Sequence, residues 1–138
     1  MRRRSVGIGF GALACLCAGL TVTWPGLAQQ GHPLTGTWTG DWGSDTIHRN
    51  QLTLVMNWDG KAVTGQINPG PDAINLASVL VDVTTWNVRI EADAKDKSGK
   101  AEHIVAEGHL DDLGSYHRNI TGTWHQGSAT GNFKIVRD

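Results

Sequence analysis

The stretch GSDTIHRN, Gly43 to Asn50, brings a serine, an aspartate and a histidine (Ser44, Asp45 and His48) into one short segment. These are the residue types of a nucleophile, an orienting carboxylate and a general base. A relay, however, needs the base held between the other two, and neighbours within one loop seldom achieve that. The simpler expectation is that Asp45 or Ser44 ties the loop to its own backbone. Histidine is also frequent, with six in the chain. If the turn between the sixth and seventh strands centres on Leu113, His109 faces His117 across a strand pair, with Cβ atoms about 4.5–5.5 Å apart. That pair falls on an outward face and lacks the further ligands of a tetrahedral zinc site, so neither a metal nor another cofactor is expected. With no convincing acid–base or metal constellation, the chain does not read as an enzyme.

Tryptophan offers a different chemistry. Beyond residue 28 stand Trp38, Trp42, Trp58, Trp86 and Trp124. Large flat side chains either fill a small core or line a pocket for a flat apolar molecule. On alternation Trp38, Gly40 and Trp42 share a face, and Trp58, Trp86 and Trp124 read as inward. Glycines at inward positions, Gly40, Gly65, Gly108 and Gly122, either leave room for a ligand or let a small barrel bend.

The elements that must position these residues are short and alternating, with no competing helical period. Strands are expected over Leu34 to Trp42, Gln51 to Trp58, Lys61 to Asn68, Asn75 to Asp82, Trp86 to Ala94, Ala101 to Leu110, about Tyr116 to His125, and Gly131 to Arg137. Asp59-Gly60 supplies a hairpin turn, and NPGPD, Asn68 to Asp72, is a loop stiffened by two prolines. WNVRIEADA is the clearest strand, because Trp86, Val88, Ile90 and Ala92 alternate with polar neighbours. Eight sequential antiparallel strands with short connections predict an all-β, up-and-down barrel, since closure removes the two open edges. A β-sandwich is the alternative architecture.

The N-terminal residues MRRRSVGIGFGALACLCAGLTVTWPGLAQQ carry three arginines, an uncharged run and a small-residue site at Gly26-Leu27-Ala28. They read as a signal peptide, residues 1–28, followed by a single domain, residues 29–138, in a secreted or periplasmic protein. The membrane would be a partner only if that leader stayed uncleaved and served as an anchor. Both cysteines, Cys15 and Cys17, fall inside it, so the domain is expected to export without a disulfide. With the leader arginines gone, nine basic residues face 13 acidic ones, which gives no reason to expect nucleic acid as a partner. Asn119-Ile120-Thr121 fits a glycosylation sequon, relevant only in a eukaryotic secretory pathway.

GTWTGDWGSDTI, from Gly36, resembles the first strand of avidin and streptavidin, and Gly36-x-Trp38 is similar to the G-x-W of lipocalins. Both families are eight-stranded barrels of the calycin group. The resemblance implies that Trp38 is a packing residue near a closed end and that Ser44 is a polar anchor just after the first strand. It also implies that Trp124 lines the pocket and that Asn132 matches a polar residue of the last strand. Gly40 stands where the avidin family has an asparagine, so the resemblance implies a barrel rather than biotin as the ligand. The residues and the resemblance together predict a non-catalytic barrel gripping a small apolar or aromatic molecule in its open end, through Trp42, Ser44, Met56, Trp86, Trp124 and Asn132. The competing expectation is a solid barrel that engages a protein partner through its GSDTIHRN and NPGPD loops.

Overall fold

The alternation of apolar and polar residues gives each strand one face that must leave water, and a ring of strands lets all those faces share one interior. The computed structural model describes residues 31–138, so the expected leader lies outside the described residues. The strands are β1 (Gly36–Gly43), β2 (Arg49–Trp58), β3 (Val63–Ile67), β4 (Ile74–Asp82), β5 (Asn87–Lys95), β6 (Ala101–Asp111), β7 (Asn119–Gln126) and β8 (Ala129–Arg137). Each pairs antiparallel with the next, and β8 pairs with β1, from Trp38 opposite Arg137 to Gly43 opposite Asn132. The sheet is therefore a closed eight-stranded barrel and not a sandwich.

The interior is built where alternation demands it. Leu54, Met56, Val88, Ile90, Leu110, Ile120, Phe133 and Ile135 are buried together with Trp38 and Trp124. β4 breaks simple alternation: a register shift between Leu76 and Ser78 lets both Leu76 and Val79 face the core. Trp58, expected inward, is 42% exposed; it ends β2 and stacks on His32, ring centroids 4.8 Å apart.

The inward glycines serve curvature. A Cβ at Gly40 would collide with the Lys134 carbonyl, one at Gly65 with that of Val55, and one at Gly122 with that of Glu107. Neighbouring backbone, not empty cavity, lies where those side chains would go. Gly108 and Gly122 pair directly, and a Cβ at Gly108 would sit 3.1 Å from the Phe133 ring.

One end of the barrel is stoppered. The turn before β1 carries Leu34, which is fully buried beside Trp38, and the Trp38 indole Nε1–H donates to the Leu34 carbonyl at 2.8 Å. Arg118 fastens this turn from outside, donating to Pro33 O at 3.1 Å and to Leu113 O at 3.2 Å. The connections at this end are β2–β3, β4–β5 and β6–β7. The opposite end gathers the β1–β2, β3–β4, β5–β6 and β7–β8 connections.

Candidate ligand-binding cavity

At the end away from Leu34 the interior is not filled. A cavity of about 270 Å³ lies between the strand ends, lined mainly by Trp42, Leu52, Leu54, Ile67, Ile74, Ile90, Ile104, Ala106, Trp124, Phe133 and Ile135. Several of its walls are short side chains: Ala94 and Ala106 stand where larger residues would close the space. The volume is close to the lower end of the roughly 300–1,000 Å³ typical of small-molecule pockets.

Two indoles shape the wall. Trp42 comes from the last turn of β1 and Trp124 from the C-terminal part of β7, on opposite sides of β8. Their rings meet edge to face, with centroids 4.9 Å apart and planes at 85°. Such a pair fixes both rings, each of which would otherwise have to be ordered by a ligand. Trp124 is 8% exposed, and its Nε1 has no hydrogen-bond partner among the described residues.

The rim supplies the polar groups. Asn68, held at φ 47° after β3, accepts from Thr53 N through Oδ1 at 2.9 Å while its own N–H donates to Thr53 O at 2.7 Å. Gln126 ends β7 and donates from Nε2 to Glu102 Oε2 at 2.6 Å. Lys95 ends β5 and is the only charged residue in the lining among the described residues.

The residues singled out from the sequence divide between the two ends. Trp42 and Trp124 line the cavity. Met56 is completely buried near the C-terminal end of β2, opposite Gly36 and Gly65, and so belongs to the stoppered end instead. Trp86 does not begin β5. It occupies the β4–β5 turn at φ 61°, its N–H donating to Asp82 O at 2.6 Å and its carbonyl accepting from Leu110 N at 2.9 Å, and it packs beneath the core at the stoppered end. The turn's run of threonines after Asp82, with the Asp82 carboxylate accepting from Thr84 N at 2.8 Å, delays the strand by one residue.

Ser44 is exposed in the β1–β2 loop and lies outside the lining. Asn132 faces outward: it is exposed, and its Oδ1 accepts from Arg49 Nη1 at 2.5 Å. Arg49, passed over in the sequence, also donates to Asp41 and to Asp45 O at 3.3 Å, binding β1, β8 and the loop together around the outside of the open end. In one dimension Arg49 stands between His48 and Asn50, which gives no sign of its joining three elements.

The loop's Ser44, Asp45 and His48 form no relay. Asp45 Oδ1 accepts from Ile47 N and His48 N at 2.8 and 2.7 Å, and its carboxylate meets His48 Nδ1 at 2.8 Å. The His48 amide, then the His48 ring and the Ile47 amide, hold the Asp45 carboxyl below the usual range. Asp45 therefore caps its own loop, as Asx residues do. His109 and His117 do not face each other either. β6 and β7 pair with His109 opposite Thr121, because the connection is longer and centres nearer Ser115. Asp112 takes φ 58°, its carbonyl accepting from Ser115 N at 2.8 Å, and His117 Nδ1 lies 3.0 Å from Arg137 O. Among the described residues no group of three or more His, Cys, Asp or Glu gathers as a metal site.

On the outer face of β5 and β6 an ionic group forms instead. Arg89 bonds Glu91 at 2.9 Å and also Glu107, and His103 lies 2.7 Å from Asp93 and 3.4 Å from Glu91. Hydrogen bonding to Asp93, and next to Glu91, raises the His103 pKa above its ordinary 6.5. The group lies on the outer face, and none of its members lines the cavity.

Compared with known proteins, the chain matches no family model and no curated sequence.

Proposed function

We propose that this protein is an exported, non-catalytic barrel that binds a small, largely apolar molecule in its open end. The observation that carries this reading is the cavity of about 270 Å³ walled by aliphatic side chains and by the Trp42–Trp124 pair, at the end opposite the Leu34 stopper. Apolar walls reward transfer of an apolar body at roughly 25 cal/mol per Å² removed from water. The cavity contains no paired acid and base that would turn a bound molecule over. Export rests on the leader-like residues 1–28.

Titration with small alicyclic and aliphatic molecules, followed by tryptophan fluorescence, tests the reading. Saturable change in the emission of the wild type is expected. The variant Ala106→Leu, which places a larger side chain in the cavity, should abolish it while the protein stays folded. A wild type indifferent to every such molecule, yet able to capture a protein partner through its open-end loops, would replace ligand binding with the interaction role.

A further inference from the structure

The polar groups around the cavity are unequally divided between donors and acceptors. Trp124 Nε1–H has no acceptor among the described residues, although the residue is more than nine-tenths buried. Asn68 spends its Oδ1 on Thr53 N, which leaves its amide NH₂. Lys95, exposed at the rim, makes no ion pair or hydrogen bond with the described residues. The acceptors near the mouth are largely engaged. Glu102 receives Gln126 Nε2, Asp45 receives its own loop and His48, and Asp96 receives Ser98 and Lys100 N–H in the β5–β6 loop. Asp72, on the β3–β4 loop, stands outside the lining. Gln126 Oε1 is the one uncommitted side-chain acceptor in the lining.

From this imbalance we infer that the ligand is an apolar molecule ending in a carboxylate or similar monoanion, whose charged group meets Lys95 at the rim while its body fills the cavity. This rests on the ligand-binding reading above and specifies its chemistry. A hydrocarbon or an amine leaves the buried Trp124 N–H unpaired, which is costly in a dry site, and offers nothing to the exposed Asn68 amide and Lys95 ammonium at the rim. An anionic head supplies acceptors and also cancels the only charge in the lining. Lys97 and Lys100 stand in the same β5–β6 connection but are balanced by Asp96 and Glu102, so the attraction rests on Lys95 itself.

The test compares one skeleton with three heads: adamantane-1-carboxylate, 1-adamantanol and 1-adamantanamine, with decanoate, decanol and decylamine as a second, linear set. Binding is measured by calorimetry and tryptophan fluorescence at low and high salt. An exposed rim ion pair predicts up to about fivefold tighter binding of the carboxylate than of the alcohol at low salt, with the amine weakest. Salt, and separately Lys95→Gln, should erase that carboxylate advantage. Lys95 is a surface residue, so the variant is expected to fold, and circular dichroism verifies it. Equal affinity for carboxylate and alcohol, preference for the amine, or a carboxylate preference that survives Lys95→Gln each overturns the inference while leaving the cavity a binding site. Failure of both skeletons with all three heads overturns the binding reading as well.

Discussion

Trp38 presents the sharpest structural test, because it is fully buried and yet takes no part in the cavity. Replacing it with phenylalanine keeps an aromatic ring but removes the Nε1–H that satisfies Leu34 O at 2.8 Å. A buried carbonyl deprived of its donor costs about 1–3 kcal/mol. The smaller ring leaves a void and forfeits buried surface, adding roughly 1–2 kcal/mol. The expected loss is thus about 2–5 kcal/mol, a large share of the roughly 5–15 kcal/mol that stabilises a domain. At about 4–8 °C per kcal/mol for small domains, the melting temperature should fall by at least about 8 °C. Guanidinium denaturation followed by far-ultraviolet circular dichroism measures the energy, and titration with adamantane-1-carboxylate measures binding on the same variant. Stability should fall and affinity should hold. A change in stability below about 1 kcal/mol would refute the stopper argument. So would weakened binding by a variant of undiminished stability, since Trp38 would then act at the cavity.

Other expectations follow from single features. Trp42→Ala should weaken binding of apolar ligands by tenfold or more, read by calorimetry, because it removes one of the two indoles of the wall while touching only a half-buried site. Gly122→Ala should destabilise the barrel by several kcal/mol or prevent its folding, whereas Gly114→Ala, with open space around its Cα, should change the denaturation midpoint little. His103 titrates with a raised folded pKa, so the stability it contributes is complete below the ordinary 6.5 and is lost as pH rises through the raised value. The difference in denaturation midpoint between wild type and His103→Gln should therefore shrink from mildly acidic to mildly alkaline pH, and a gap that widened instead would contradict the Asp93 and Glu91 contacts.

The barrel was legible because strand alternation is a local signal repeated eight times, and WNVRIEADA needed only a one-residue adjustment to become β5. What escaped the sequence is where two elements meet. The His109–His117 pairing failed on the length of one turn, since a few extra residues between β6 and β7 move every cross-strand partner. Trp86 was misplaced because a bulky residue in the left-handed region is uncommon, and nothing in its own neighbourhood announces it. Trp42 and Trp124 lie 82 residues apart in sequence, and alternation indicates that both face inward but not that their rings touch. Lys95 was invisible for another reason: an outward lysine at a strand end resembles any solvated residue until the rim it borders is known.

The pairing of β8 with β1 also sets when the ring can close during synthesis. The strand that closes the ring follows the other seven in the chain, and just beyond it Asp138 N–H donates to Thr37 O at 2.9 Å beside β1. Until that segment emerges, β1 and β7 both present bare edges and the apolar interior stays open. A chain whose β8 has not yet been made therefore cannot complete its barrel. The nine-residue β8 acts as a latch, and the ring stays open until that strand is in place.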